Sequence, residues 1–216
     1  MLKMTGAAVA GASILGLPIP SEAGTAQSGT TRKKALVIGA HPDDPETGCG
    51  GTIAVLKAAG WDVVDVYLTA GEAGIAGKSH AEAAAIRRQE SARACATLGT
   101  RAVFLTQIDG STEINHERYD EMRQAIAAQK PDVVFTHWPI DSHRDHRICS
   151  MLVYDAWRHL DHSFELFYFE VMTGDQTQLF QPTDWVNIDA MVDLKRKACY
   201  CHESQGMKDL YVTMRK

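Results

Sequence analysis

Short apolar runs alternate with amphipathic stretches along most of the chain. From position 34 onward, continuous apolar runs bounded by turn residues predict strands that are buried on both faces. These predicted strands cover residues 34–41, 62–70, 101–108, 132–138, 164–171 and 184–188. The intervening stretches predict helices over residues 50–59, 81–98, 119–129, 147–160 and 190–203. Strands that alternate with helices in this way predict a three-layer α/β fold with a mainly parallel central sheet.

The first residues follow a different pattern. Residues 5–18 are apolar and mostly small, and a Ser/Gly/Thr-rich segment follows at 21–31. The apolar stretch is too short to span a bilayer but suits the apolar region of an export signal. It resembles the part of a twin-arginine signal that follows the arginine pair, although the pair itself is absent. We therefore expect residues 1–32 to be an export remnant and tail ahead of a domain at 33–216. Export to the periplasm or the exterior is the corresponding expectation, and a tail packed on a cytoplasmic protein is the alternative.

Composition and charge exclude several function classes. The 216 residues carry a formal net charge of -5, and only 7% are aromatic. A broad basic surface or a stacking platform for nucleic acid is therefore not expected, and neither is a stable membrane span. The five cysteines have irregular spacings, which argues against a disulfide framework or a four-thiolate zinc site. What remains is an enzyme or a domain that binds a small ligand, either of which could form a homo-oligomer.

Two polar clusters follow predicted strands directly. The segment His41-Pro42-Asp43-Asp44 comes after the first strand, and residues 137–146 come after the fourth. The second segment holds three His and two Asp within ten positions. Ligands of parallel α/β sheets bind at the carboxyl ends of the strands, so both clusters are expected at the site.

The residue types in these clusters suit a catalytic metal. Zinc binds imidazole nitrogen and carboxylate oxygen, and catalytic sites use three protein ligands plus a water. One His and one Asp from the first segment, with one His from the second, would complete such a set. The remaining carboxylate and imidazole could then serve as base and acid. Alone, the first segment could be only a turn and the spaced histidines only a solvated helix face, but the two together favour a metal hydrolase.

The sequence also resembles a known family, the LmbE-like or PIG-L zinc deacetylases, over most of its length. The resemblance implies a Rossmann-like α/β fold and a bound Zn²⁺. It is carried by motifs that occur in the family's order. They are AHPDD (40–44), GCGG (48–51), GEAG (71–74), RRQE (87–90), ATLG (96–99), DG (109–110), PDVVFTH (131–137), DSHRDH (141–146) and HESQ (202–205).

The resemblance implies roles for individual residues. The implied zinc ligands are His41, Asp44 and His146. Asp43 would be the general base, and His143 would be an imidazolium that stabilises the oxyanion and protonates the leaving amine, with Asp145 orienting it. The implied substrate-contacting residues are Arg87, Asp109 and His202. The chain departs from the family at Pro45, where Glu is common, but none of the implied ligands is affected.

These observations predict a zinc-dependent hydrolase that removes an N-acetyl group from an N-acetylated amino sugar or sugar conjugate. The sequence does not determine which molecule carries the acetyl group. The candidates are N-acetylglucosamine, a chitin fragment, a glycolipid head group and a thiol-sugar conjugate. One alternative is a non-catalytic metal- or sugar-binding module on the same scaffold. A nucleotide-dependent Rossmann enzyme is disfavoured because the sequence lacks the phosphate-binding glycine spacing.

Overall fold

A five-stranded sheet forms the middle layer of the protein. The computed structural model describes residues 32–172 and 175–213. The strands are β1 (Lys34–Gly39), β2 (Asp62–Thr69), β3 (Arg101–Gln107), β4 (Val133–His137) and β5 (Glu165–Phe169). Their order is β3-β2-β1-β4-β5, and every pairing between these strands is parallel. The predicted α/β architecture with a mainly parallel sheet is confirmed.

Helices cover both faces of the sheet. They are α1 (Asp44–Ala58), α2 (His80–Leu98), α3 (His116–Gln129), α4 (Arg144–His159), α5 (Val192–Cys199) and α6 (Met207–Thr213). Successive residues of β1 alternate between two cores, because side chains along a strand point to opposite faces. Val37 packs with α1, α2 and α5 on one face, whereas Ile38 packs with α3 and α4 on the other. The central strands β1, β2 and β4 are buried on both sides, which explains their continuous apolar runs.

The helices α1 and α4 leave neighbouring strands on opposite faces. β1 pairs with both β2 and β4, so the strand order reverses between β1 and β4. A crevice forms at such a reversal, outside the carboxyl ends of the two strands. The two polar clusters follow β1 and β4 and therefore meet at this crevice.

The start of the first helix and one predicted strand differ from the structure for identifiable reasons. α1 begins at Asp44, six residues before the predicted start. Pro45 fixes a helical φ angle in the first turn, where acidic side chains are also favourable. The predicted strand at 184–188 is wrong. Those residues form no ladder in the described part of the chain, and the Trp185 side chain is 74% exposed. An apolar composition alone does not supply the neighbouring strand that a ladder requires.

The predicted export segment lies outside the described residues except for its final position. Among the helices that are described, none combines the length and apolar character needed to cross a membrane.

A buried acid on β2 makes the stability of this fold sensitive to pH. Asp65 is fully buried, and its Oδ2 accepts hydrogen bonds from Thr100 Oγ1 and, at 3.4 Å, from Cys95 Sγ. Burial, reinforced by the nearby Glu46 carboxylate, raises the pKa of Asp65 to about 7. Folding therefore favours the protonated acid, while the unfolded chain ionises it near pH 4. This contribution to stability is complete below about pH 4 and is lost as the pH rises towards 7.

We predict that Asp65→Asn removes this pH dependence. The stability of the variant relative to the wild type should rise by roughly 2 kcal/mol between pH 5 and pH 8. Thermal unfolding at the two pH values measures the change, with the exposed Asp161→Asn as a matched control. Equal pH dependence in both variants and the wild type would contradict the assignment.

Candidate functional site

The loop between β1 and α1 presents two carboxylates at the crevice. Asp43 precedes the first residue of α1 and has a φ angle of 117°, in the left-handed region that side-chain-bearing residues rarely adopt. Such strain persists only where surrounding contacts enforce it, and it is common at functional sites. Asp44 then opens the helix and is buried.

The three predicted metal ligands, His41, Asp44 and His146, lie close together. Asp44 Oδ2 is 3.3 Å from His41 Nδ1, and Asp44 Oδ1 is 3.4 Å from His146 Nε2. The two imidazoles belong to one group of ring nitrogens that all lie within 4.8 Å of one another, together with His143. One carboxylate and two imidazoles from two different segments thus converge on one point.

Each of the two imidazoles also contacts a carboxylate through its other nitrogen. His41 Nε2 lies 3.2 Å from both Asp145 Oδ2 and Asp109 Oδ1, and His146 Nδ1 lies 3.2 Å from Asp141 Oδ2. Histidines that ligate metals commonly carry a carboxylate on the second nitrogen, which orients the ring and strengthens the ligand. The donor set and its supporting carboxylates therefore fit a divalent cation such as zinc.

The protonation of these imidazoles shows how strongly the site favours positive charge. Burial alone would lower the pKa of His146, yet the carboxylates of Asp44 and Asp141 outweigh it and raise the pKa to about 9. Burial likewise opposes protonation of His41, but carboxylates led by Asp109 and Asp145 raise its pKa well above the ordinary value. Protons on these two imidazoles compensate the negative charge of the surrounding carboxylates. A bound cation would compensate the same charge in their place.

The carboxylate of Asp145 does not make its predicted contact with His143. It contacts His41 Nε2 and accepts hydrogen bonds from Gly110 N at 2.8 Å and Thr112 Oγ1 at 2.6 Å. The loop that follows β3 supplies these donors, and they stabilise a buried charge at the start of α4. Only the backbone N–H of Asp145 reaches His143, donating to Nδ1 at 3.2 Å.

This backbone contact also determines which nitrogen of His143 carries a proton. Because Nδ1 accepts a hydrogen bond, the proton of the neutral ring lies on Nε2. Burial and the neighbouring imidazoles of His41 and His146 lower the pKa of His143. The structure therefore favours a neutral His143 with an Nε2–H donor, whereas the resemblance implied an imidazolium.

Arg87 holds the strained Asp43 in place. Its Nη2 donates to Asp43 Oδ2 at 3.0 Å and also to the carbonyl oxygen of Pro42. The guanidinium packs against the loop after β2, where a Cβ on Gly74 would lie 2.4 Å from Arg87 Nη1. Burial raises the pKa of Asp43 to about 6, an effect that the charge of Arg87 opposes. The GEAG motif therefore provides space for a buried cation beside Asp43.

The converging residues open onto one cavity of about 340 Å³. Most of the residues that the sequence implicated contribute to its wall. The cavity is lined by His41, Asp43, Asp44, Thr47, Ala73, Gly74, Arg87, Asp109, His143, His146, Val171, Met172, Gln176, Gln205, Met207 and Leu210.

His202 does not contact this cavity, contrary to its implied role in substrate binding. The side chain is fully buried, and its Nε2 lies 3.3 Å from Glu46 Oε1. A buried carboxylate in the first turn of α1 requires a compensating partner, and His202 provides it. Gln205, three residues later, lines the cavity instead.

The residues of the site that were not identified from sequence include two that contact or stack on His146. Asp141 contacts His146 and accepts a hydrogen bond from Thr177 Oγ1 at 3.0 Å. His137 stacks on His146 with a ring-centroid distance of 4.0 Å, and its Nε2 accepts a hydrogen bond from Ala40 N. His137 ends β4 and Asp141 lies in the His/Asp-rich segment that follows, so composition indicated this region, but spacing did not distinguish ligands from supporting residues.

Comparisons with known proteins identify the family of this chain. The family model described as PIG-L, GlcNAc-PI de-N-acetylase, matches residues 36–157, and the chain belongs to this family. A diacetylchitobiose deacetylase of Thermococcus kodakarensis is 30% identical over 194 residues, which cover 83% of this chain and 72% of the relative.

Solved structures show the same fold. An N,N'-diacetylchitobiose deacetylase from Pyrococcus horikoshii, complexed with its inhibitor MPG, is 29% identical with a TM-score of 0.71, covering 80% of this chain and 70% of that chain. The 4-carboxy-2-hydroxymuconate hydratase GalB of Pseudomonas putida KT2440 also has a TM-score of 0.71, at 21% identity, covering 85% of each chain. The second likeness shows the fold alone, so the reaction has to be argued from the site.

We predict that Arg87→Ala destabilises the protein, because it leaves the buried Asp43 carboxylate without its cation. The expected loss is roughly 2 kcal/mol, or about 4–8 °C in the unfolding temperature. Arg88 is the matched control, since it is the next residue on α2 but is exposed and lies over the Phe104 ring. Thermal unfolding of both variants measures the difference. Equal losses in the two variants would contradict the proposed role of Arg87.

Proposed function

We propose that this protein is a zinc-dependent N-deacetylase that removes the acetyl group from an N-acetylated amino sugar or a conjugate of one. One observation carries the proposal: His41, Asp44 and His146 converge at the same cavity that Asp43 and His143 line. A metal-binding set therefore adjoins a carboxylate and an N–H donor that binding alone would not require. The activity named for the Thermococcus kodakarensis relative supports a sugar substrate.

The cation would be held by one carboxylate and two imidazoles. His41 Nδ1 and His146 Nε2 face the Asp44 carboxylate, while Asp145 and Asp141 lie on the opposite sides of the rings. When bound, a divalent cation lowers the pKa of a coordinated water to about 7 and polarises an amide carbonyl. With three protein ligands, the cation would have a coordination position available for water or substrate.

In this proposal, Asp43 accepts a proton from the attacking water. Its side chain lines the cavity beside Asp44, and Arg87 holds one of its oxygens at 3.0 Å. Amide hydrolysis needs such a base within hydrogen-bonding reach of the water.

In the same proposal, His143 stabilises negative charge on the carbonyl oxygen. With Nδ1 occupied by the Asp145 N–H, its Nε2–H is available to donate a hydrogen bond. A fixed donor aimed at a developing oxyanion typically contributes about 10²–10³ in rate. The leaving nitrogen also needs a proton. We propose that Asp43 donates the proton that it accepted from water, and that a protonated His143 is not the donor.

The cavity suits a small polar substrate. Its volume of about 340 Å³ is at the lower end of the range for ligand pockets. Asp109, Gln176 and Gln205 add hydrogen-bonding groups to the wall around the reacting centre. A single sugar ring in the cavity, with any further part of the substrate outside it, fits these features.

We predict that His146→Ala abolishes tight zinc binding. Removing one of three ligands should weaken the affinity by at least about 100-fold, because even supporting contacts of metal ligands contribute 10- to 100-fold. Equilibrium dialysis with zinc measures this, and His159→Ala, an exposed histidine at the end of α4, serves as the control. Zinc binding unchanged in the His146 variant would place the metal elsewhere.

We predict that Asp43→Asn lowers kcat/KM by roughly 10²–10⁴-fold while zinc affinity stays within a few-fold of the wild type. Acetate release from a panel of N-acetylated sugars, stopped by chelator and restored by zinc, measures the activity. The exposed Asp184→Asn should behave as the wild type.

This experiment also separates the proposal from its alternative. A non-catalytic metal- or sugar-binding module would bind zinc but release no acetate in the wild type. Activity that survives the Asn substitution would show that Asp43 is not the base.

A further inference from the structure

We propose that Gln205 is a substrate-binding residue whose side-chain Oε1 accepts a hydrogen bond from a hydroxyl or N–H group of the substrate. The inference rests on the proposed function, since it concerns the same cavity. Gln205 belongs to a turn of 3₁₀ helix (Glu203–Gln205) that follows α5, and it lines the same cavity as the residues of the β1 and β4 loops.

Both N–H groups of the Gln205 amide are already occupied. Nε2 lies 3.1 Å from the carbonyl oxygen of Gly74 and 3.0 Å from Ser204 Oγ. The Gly74 carbonyl can only accept, so this contact fixes which end of the amide is nitrogen. Among the described residues, no hydrogen bond is made to Oε1. The group that Gln205 offers to a ligand is therefore an acceptor.

The turn that carries Gln205 is attached to α2 through a buried acid. Glu90 is 2% exposed, and its two oxygens accept from Ser204 N and Ser204 Oγ, each at 2.7 Å. Glu90 lies three residues after Arg87, on the same side of α2. The helix that holds Asp43 through Arg87 thus also holds the turn with Gln205.

A second contact joins the turn to the helix that begins with Asp44. His202 Nε2 lies 3.3 Å from Glu46 Oε1, and Tyr67 Oη donates to the same oxygen at 2.7 Å. Both Glu46 and His202 are fully buried. The position of Gln205 relative to the metal ligands is therefore set by α1, α2 and the Gly74 loop together, as expected of a residue that must meet a substrate at a fixed distance from the reacting centre.

Gln205→Met tests the contact, because methionine has a similar length but cannot accept this hydrogen bond. We expect KM for the best N-acetylated sugar of the panel to rise about 5- to 10-fold, the value of one hydrogen bond, with kcat changed less than about threefold. Gln178→Met is the control, since Gln178 is exposed and does not line the cavity. Zinc affinity should be unchanged in both variants.

Deoxy analogues of N-acetylglucosamine distinguish a direct contact from a general disturbance of the wall. If Oε1 accepts from one hydroxyl, the wild type and Gln205→Met should bind the analogue that lacks this hydroxyl with equal affinity. The wild type should still bind the other analogues more tightly than Gln205→Met does. If Oε1 accepts from the amide N–H, every analogue should discriminate between the two proteins. Equal affinity of the two proteins for the parent sugar would overturn the proposal.

Ser204→Ala tests the positioning of Gln205. The variant keeps the amide but loses the hydroxyl that contacts both Glu90 and Gln205, so KM should rise with kcat nearly constant. The Ser204→Ala, Gln205→Met double variant should be no worse than Gln205→Met alone, and fully additive losses would contradict positioning.

Calorimetric titration of the zinc-loaded proteins with N-acetylglucosamine separates this inference from the proposed function. Binding that is weaker in Gln205→Met than in the wild type supports the contact even if no acetate is released, in which case only the proposed deacetylation fails. Binding of equal strength overturns the contact but leaves the deacetylase proposal intact. Absence of binding to the wild type, to this sugar and to the others of the panel, would overturn both.

Discussion

Negative charge concentrated at the end of β1 and β4 is the constraint around which this molecule is built. Several aspartates reach the crevice with low exposure, and burying that many carboxylates is costly without compensation. They are Asp43, Asp44, Asp109, Asp141 and Asp145. Imidazoles from two segments compensate part of the charge, and the donors of the loop after β3 stabilise another part. The carboxylate charge that these groups leave uncompensated favours a bound cation at Asp44.

The same constraint explains features at some distance from the proposed metal. Arg87 is buried only because Gly71 and Gly74 leave room for its guanidinium, and it is needed there because Asp43 is buried beside it. Glu46, in the first turn of α1, has His202 and Tyr67 as its partners. Through these contacts the charged residues of α1 determine how α2 and the C-terminal turn pack around the cavity.

Much of this could be predicted from the sequence because the evidence was local. The apolar runs of β1 and β4 and the polar segments after them are contiguous, so their meeting followed from the general topology of parallel sheets. The side-chain partners were different. Which imidazole Asp145 contacts depends on the loop after β3, and neither charge nor spacing within residues 141–146 contains that information. The roles carried over by resemblance for Asp145 and His202 therefore differ from the contacts that the structure shows.

The false strand at 184–188 has a related cause. Its residues have a strand-like composition, but strand pairing also requires an unpaired sheet edge beside the segment. In the structure, Ile188 of this segment lies against Gly51 of α1 instead. The contact between Gln205 and Gly74 spans two segments distant in sequence, and no periodicity predicts it. Long-range polar contacts of this kind become visible only in the folded structure.

The central claim is that one cation binds where His41, Asp44 and His146 converge. Anomalous diffraction from crystals of the zinc-loaded protein, recorded on both sides of the zinc absorption edge, tests it most directly. The account predicts a peak in contact with His41 Nδ1, an oxygen of Asp44 and His146 Nε2. A peak instead among Glu46, Asp65 and Cys95, another buried group of residues that could hold a metal ion, would contradict it.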